Sequence, residues 1–511
     1  MIEFCDVSFR YGETNQTGGI HHINLTVKDG ECVLLCGESG CGKTTLTRLL
    51  NGLIPHFYSG RLSGEVRIHG KDISQMQLYE LAPLVGSVFQ NPRSQFFNVD
   101  TDSELAFSCE NLGYSIPDIH KRVNKTVDEL HLHHLLGRNI FHLSGGQQQI
   151  ISCGTVNTQG ADIIVLDEPS SNLDAAATEH LRQVIMRWKK QGKTILIAEH
   201  RLYYLADFVD RIVYMKDGTI CKEMTYDELT AMPQDKRCRL GLRASNLSHL
   251  TFSSLCRTPI QESLMLEDFC FSYRHTGRAL HIPNLTLPAG QIIAITGLNG
   301  AGKSTFARCL CGLQKRCGLL HLGNQSLNWR KRLKSCYMVM QDTGRQLFTE
   351  YVLDEVLLSM DCEDEETALH ILDRLDLRLY KDRHPQSLSG GQKQRLAIAS
   401  ALAGERDILV FDEPTSGLDY RHMTEVATCL KELMQKGKTI FVITHDAELI
   451  LSCCTHIMHM ECGEITASYP LNETGTKKVL DFFLHPIKER SYYETTQNEW
   501  TKKPVSIRGQ A

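Results

Sequence analysis

The sequence predicts an α/β protein built from one unit written twice, and three observations carry that reading. Short apolar runs of strand length, among them "ECVLLCG", "DIIVLDE" and "TILIAEH" in the first half, alternate with helix-like stretches, which is the pattern of a largely parallel central sheet. A glycine loop directly follows a strand in each half, at Gly37 and at Gly297. Three further motifs recur at one offset: Ser144 and Ser389, Asp167 and Asp412, and His200 and His445 each lie 245 residues apart. A single offset held across three motifs marks an internal repeat.

The bulk numbers agree with two globular domains. A chain of 511 residues exceeds what one core supports, and 42% hydrophobic with 23% charged residues is ordinary globular composition. We expect units over 1–235 and 263–475, a mixed polar connector over 236–262 and a tail over 476–511. The tail's end, "ETTQNEWTKKPVSIRGQA", has a poorly ordered composition. A net charge of -5 provides no global basic field, so nucleic acid is not an expected partner. Nineteen cysteines without C-x-x-C spacing read as reduced, buried thiols of a cytosolic protein rather than as a metal or disulfide framework. The acidic opening "MIEFCDVSFRYGE" lacks the basic and apolar regions of a secretory signal. No run of 18 apolar residues exists to cross a membrane.

Taken in order, the first matched stretches are "MIEFCDVSFRY", ending at Tyr11, and "SLMLEDFCFSY", ending at Tyr273. The glycine loops, Gly37-Glu-Ser-Gly40-Cys-Gly42-Lys43-Thr44 and Gly297-Leu-Asn-Gly300-Ala-Gly302-Lys303-Ser304, fit G-x-x-x-x-G-K-[ST] between strand and helix. Such glycines let the backbone curl so that its N–H groups face a phosphate. The lysine neutralises phosphate charge, and the hydroxyl of Thr44 or Ser304 can ligate Mg²⁺. The strands "IIVLDEP" and "ILVFDEP" end in Asp167-Glu168 and Asp412-Glu413, at the carboxyl edge where parallel sheets collect ligands. There Asp167 and Asp412 are candidates to hold Mg²⁺, and Glu168 and Glu413 to polarise the attacking water. His200 and His445 end further apolar strands and are candidates to donate to a γ-phosphate from the side opposite the lysine.

Glycine loop, glutamine, Leu-Ser-Gly-Gly-Gln, Asp-Glu and histidine, in that order and twice, resemble the ATP-binding cassette (ABC) ATPases over nearly the whole chain. The resemblance implies two tandem P-loop domains, each with a mainly parallel sheet core, an antiparallel β subdomain and a helical signature subdomain, binding ATP and Mg²⁺. It implies ATP contacts at Gly37, Gly40, Gly42, Lys43, Thr44 and Thr45, and at Gly297, Gly300, Gly302, Lys303, Ser304 and Thr305. Gln90 and Gln341 would touch the metal, and Tyr11 and Tyr273 would stack on adenine. The signature Ser144, Gly145, Gly146 and Gln147 would serve the nucleotide of the other half, as would Ser389, Gly390, Gly391 and Gln392. One composite site would thus join Lys43, Glu168 and His200 to Ser389, and the other Lys303, Glu413 and His445 to Ser144. The loops ending in Asp174 and Asp419 resemble those through which the sites sense each other.

The halves depart from one another twice. After the signature the second reads Gln392-Lys-Gln-Arg395 and the first Gln147-Gln-Gln-Ile150; the histidines stand in Thr444-His445-Asp446 and Glu199-His200-Arg201. Every catalytic position is filled in both, so two competent but unequal sites are expected.

The repeated "VFQNPRSQFF" and "VMQDTGRQLF" hold Gln90 with Gln95 and Gln341 with Gln346, each followed by two apolar residues, and Glu104 and Glu355 stand fourteen positions beyond the first glutamines. This pattern is similar to the ATPases of energy-coupling factor (ECF) importers. Phe96, Phe97, Leu347 and Phe348 would then line a cleft that accepts a short helix of a membrane scaffold, a substrate-capturing membrane protein completing the assembly at the cytoplasmic face. By that resemblance, cargo such as a vitamin or metal ion would never touch this chain. A soluble twin-cassette factor acting on ribosomes is the alternative, although the connector has neither the length nor the charge of that family's linker. A DNA-repair cassette would need a large insertion between Gln90 and Ser144, which are only 54 residues apart.

Overall fold

The chain divides into two compact units, 1–246 and 247–485, in the computed structural model, which describes residues 1–12, 18–252, 262–273 and 277–485. Each unit holds a six-stranded sheet. In the first the strand order is Thr219–Met224, Arg211–Lys216, Cys32–Gly37, Thr194–Ala198, Ile163–Asp167 and Val85–Val88, parallel except for the first pair. The second repeats it with Glu464–Pro470, His456–Glu461, Ile292–Thr296, Thr439–Ile443, Ile408–Asp412 and Cys336–Val339. The central strands are apolar without alternation because both faces are covered: Cys32, Leu34 and Cys36 enter one core, Val33 and Leu35 another.

An antiparallel sheet flanks each core. It runs Gly19–Val27, Ile2–Tyr11, Gly60–Ile68, Lys71–Asp72 in the first unit and Gly277–Pro288, Ser263–Tyr273, Leu319–Leu322, Gln325–Leu327 in the second. A helical part follows, formed by Thr101–Asn111, Ile116–Glu129 and Gly145–Gln159, and again by Val352–Leu357, Glu365–Arg374 and Gly390–Ala403. Local chemistry sets these starts: Asp100 accepts from the Ser103 N–H, and Ser115 caps a helix with Pro117 in its first turn. Among the described residues no helix is long and apolar enough to cross a membrane. The eighteen cysteines described are free and mostly buried.

The segments that follow the two sheets carry short helices of their own. The connector carries a helix, Gln234–Arg239, after which Leu242, Ala244 and Leu247 are buried; Tyr226, itself buried, donates its hydroxyl to the Ser245 carbonyl. The tail opens with a helix, Glu473–Leu484, capped by Asn472 and burying Val479 and Phe483. Its apolar signal is the four-residue spacing of Val479 and Phe483. The stretch "ETTQNEWTKKPVSIRGQA" lies outside the described residues.

Candidate functional site

Strand register gathers the candidates. Asp167 pairs with Ala198 and Leu35 with the same residue, so the carboxyl edges of three adjacent strands deliver the glycine loop, His200 and the Asp-Glu pair side by side. The second unit pairs Asp412 with Ile443 and Ile295 with Ile443 to the same end.

The glycine loops are forced by close approach at one end and leave open space at the other. A Cβ on Gly37 would lie 2.1 Å from the Met215 carbonyl oxygen, and one on Gly297 2.2 Å from that of Met460. Gly40 and Gly300, at φ of 82° and 87°, face nothing within 4 Å, which is where backbone can meet a ligand. Gly42 and Gly302, also left-handed, precede the helices Lys43–Leu50 and Lys303–Leu310. Both lysines are buried. Lys43 Nζ donates to the Gly37 and Glu38 carbonyls at 3.0 Å each, Lys303 Nζ to those of Gly297 and Leu298 at 2.7 and 2.9 Å. A positive charge is thereby held in the curl of each loop, beside the N–H groups of a helix start, an arrangement suited to phosphate.

Opposite stand the acids. Thr44 donates its hydroxyl to Asp167 at 3.1 Å, and Ser304 makes the same bond to Asp412. Burial, then the neighbouring Glu168, push the Asp167 carboxyl up to about 7 against the opposing effects of Thr44, Arg48 and Lys43. Burial also raises Asp412. A hydroxyl and a carboxylate that resists ionising are hard oxygen donors in want of positive charge, and they fit Mg²⁺. Glu168 and Glu413 adopt left-handed backbone, φ 44° and 53°, a strain of roughly 1–3 kcal/mol in a non-glycine residue. Their N–H groups still bond the Ala198 and Ile443 carbonyls, and this fixes them next to the histidine strands. His200 Nε2 lies 3.4 Å from Glu168 Oε1 and His445 Nε2 3.6 Å from Glu413 Oε1. Gln90 donates to Glu168 Oε2 at 2.7 Å; Gln341 is exposed at the matched place. Tyr11 and Tyr273 tie their hydroxyls to Thr45 and Thr305 at 3.1 and 3.3 Å, and Arg48 donates to Tyr11 as well.

The signature residues open helices. Ser144 Oγ accepts from the Gln147 N–H while Gln147 Oε1 accepts from the Ser144 N–H, and Ser389 with Gln392 repeats the reciprocal cap. Gln147 and Gln392, expected among the ATP ligands, thus spend their side-chain carbonyls on the cap. Gly145, Ser389 and Gly390 are exposed, Gly391 is half-buried and Gly146 is buried. Asp174 and Asp419 cap the helices Ala175–Lys190 and Tyr420–Gln435.

The twice-written glutamine segments are clamps. Gln95 accepts from the Phe89 N–H and donates to the Ser87 carbonyl, and Gln346 does the same with Met340 and Met338. The buried Glu104 accepts from the N–H groups of Phe97 and Asn98, and Glu355 from those of Phe348 and Thr349. Burial raises the Glu104 carboxyl above its usual range. The expected cleft of four apolar side chains is corrected here. Leu347 is buried in the second unit at 3% exposed and Phe96 packs half-buried against the first unit's core, whereas Phe97 and Phe348 are 75% and 74% exposed. The single turns Pro92–Ser94 and Thr343–Arg345 aim the first of each pair inward and leave the second outside. Phe97 stacks on Phe107 with centroids 4.8 Å apart.

The departure after the signature is a matter of packing. Arg395 is buried and donates from Nε to the Leu375 carbonyl at 2.9 Å, capping the end of a helix. Ile150 fills the same position with apolar surface, and the equivalent Leu130 carbonyl accepts from His180 Nε2 at 3.1 Å. Sequence reading missed this exchange because the compensating residue is remote in the chain. It also gave no role to Glu104 and Glu355, whose fixed spacing was the available signal, or to Glu199.

Comparisons with known proteins give the family and the fold. The ABC transporter family matches residues 20–171 and 280–416. Two Treponema denticola proteins named as ABC transporter ATP-binding proteins are 43% and 39% identical, covering 91% and 92% of this chain and 96% and 97% of their own lengths. Among solved structures, the complex of archaeal ribosomal stalk protein aP1 and archaeal ribosome recycling factor aABCE1 matches with a TM-score of 0.64 at 22% identity, over 94% of this chain and 92% of that one, a likeness of fold. The chain, a nucleotide-binding ATPase with its cassette written twice, belongs to the ABC transporter family.

Proposed function

We propose that this chain is the ATP-hydrolysing subunit of an ECF-type importer, driving uptake of a small micronutrient through separate membrane subunits from their cytoplasmic face. The exposed phenyl rings of Phe97 and Phe348, each held at the backbone by a buried glutamate, carry this reading. A ring three-quarters exposed is costly to leave in water, and burying what remains of it against a partner contributes roughly 1–2 kcal/mol.

In each unit the glycine loop and Lys43 or Lys303 bind the phosphates, and Tyr11 or Tyr273 the base. Mg²⁺ held by Thr44, Gln90 and Asp167, or by Ser304, Gln341 and Asp412, supplies charge neutralisation when bound. Glu168 and Glu413 orient and polarise the attacking water, a role worth roughly 10²- to 10⁴-fold, and His200 and His445 donate to the γ-phosphate. By likeness to the family, the signature turns Ser144–Gly146 and Ser389–Gly391 complete the sites of the opposite units.

Gentle solubilisation of membranes and capture of the chain tests the proposal, which expects integral membrane proteins to remain attached. Recovery with ribosomes, and with no membrane protein, would establish the translation-factor alternative instead.

A further inference from the structure

The histidine loops differ in the order of their charges. Glu199-His200-Arg201 stands where the second unit has Thr444-His445-Asp446. Glu199 is 2% exposed and accepts from five donors: the N–H groups of His200 (2.7 Å), Arg201 (3.1 Å) and Ser170 (3.3 Å), and the hydroxyls of Ser170 (2.7 Å) and Tyr204 (2.9 Å). Asp446, also buried, accepts from the Thr415 hydroxyl at 2.8 Å and from the N–H groups of Glu448 and Leu449 at 3.1 and 3.3 Å. Ser170 and Thr415 are themselves 245 positions apart, at the head of the loops ending in Asp174 and Asp419.

Each unit therefore ties its histidine loop to the same hydroxyl position through a buried carboxylate. In one unit the carboxylate precedes the histidine; in the other it follows. The vacated positions are used. Arg201 is buried and donates to the Ser170 and Leu173 carbonyls at 3.3 and 3.2 Å, while Thr444 accepts from the Asp446 N–H at 3.1 Å. Local structure changes with the exchange: Asp446 caps the helix Ala447–Cys453, and the equivalent 202–208, with no acid to cap it, forms turns.

We propose that Glu199 is the positioning residue of His200, supplying from before the histidine the anchor that Asp446 supplies from after it. This rests on the reading above that His200 acts on the γ-phosphate. Truncating Glu199 leaves two buried hydroxyls and three N–H groups without their acceptor, so the loop must move and the histidine with it.

The test is steady-state ATPase of the full chain, with thermal unfolding recorded so that rates refer to folded protein. Glu199→Ala is expected to lower kcat to about half or less, since one of two sites is silenced, with KM for ATP within about two-fold. Glu199→Gln, which keeps an acceptor oxygen and is the safer fold, is expected to fall between Glu199→Ala and the parent chain. The triple exchange Glu199→Thr, Arg201→Asp, Tyr204→Leu transplants the second unit's residues and is expected to recover kcat to at least about 80% of the parent. A purely structural glutamate would not yield a rate rescued by moving the charge across the histidine. An unchanged kcat in Glu199→Ala, or a triple exchange no faster than Glu199→Ala, overturns the proposal. His200→Ala separates the two readings: full activity there refutes the histidine's role itself, whereas loss there with an intact Glu199→Ala refutes only the positioning.

Discussion

Leu347 and Phe348 are neighbours in the chain and opposites in the structure, 3% against 74% exposed. Replacing each by alanine therefore probes two different energies. Leu347→Ala opens a cavity in the second unit's core and is expected to cost about 2–5 kcal/mol of stability, read as a clear fall in Tm. Phe97→Ala with Phe348→Ala removes two rings that face water, so the chain itself loses little beyond the Phe97–Phe107 stack, roughly 0.5–1.5 kcal/mol. What the double variant loses is the partner. With about three-quarters of each ring left to bury, the two seats sum to roughly 2–4 kcal/mol, or about 30- to 1000-fold in Kd. Co-purification from solubilised membranes should fail for the double variant while its basal ATPase and Tm stay near those of the parent. Retention of membrane partners at parental levels would refute the reasoning. So would a Leu347→Ala chain that melts at the parental temperature.

Three other perturbations follow from the sites. Gly37→Ala drives a Cβ to 2.1 Å from the Met215 oxygen and is expected to unfold the first unit's edge, whereas Gly40→Ala meets open space, costs about 1 kcal/mol of backbone strain and is expected to show itself mainly as weakened nucleotide binding in titration calorimetry. Asp167 holds its proton up to about 7, and a divalent cation demands the carboxylate, so Mg²⁺–nucleotide binding near pH 6.5 is expected to release protons and to tighten as pH rises toward 8; enthalpies independent of buffer ionisation heat would contradict this. Arg395→Ile is expected to cost about 1–3 kcal/mol by orphaning the Leu375 carbonyl, and Ile150→Arg more, because His180 already serves the Leu130 carbonyl and the new charge has no acceptor; denaturant titration orders the two.

Much of the architecture was legible because it rests on local pattern and on repetition. The apolar strands without alternation announced a sheet buried on both faces, and the 245-residue offset that links Ser144 to Ser389 and His200 to His445 set which residues occupy equivalent places. The Asp-Glu and histidine motifs lie at strand ends, and parallel register alone brings Glu168 and His200 within 3.4 Å. Less legible was anything decided by which way a single turn points a side chain. "QFF" and "QLF" read as paired apolar residues, and nothing in that string says that Glu104 and Glu355 will clamp the backbone so that one enters the core and its neighbour leaves it.

Differences between the halves were the hardest to read, and the reason is physical. A motif comparison registers that Arg395 has become Ile150, or that Asp446 has become Arg201, and takes each as a loss. A buried hydrogen-bonding group cannot simply be lost, because its partner would be left desolvated at a cost of about 1–3 kcal/mol. The partner must find another donor or acceptor, and that substitute lies wherever the fold brings one near. For the Leu130 carbonyl it is His180, fifty residues on; for Ser170 it is Glu199, two residues from the apparent defect. Inequality of the sites therefore cannot be inferred from the departing residues one at a time. The quantity that matters is whether each buried carbonyl, hydroxyl and N–H around Glu168 and Glu413 is still answered, and at these two departures the groups left behind are answered in both units.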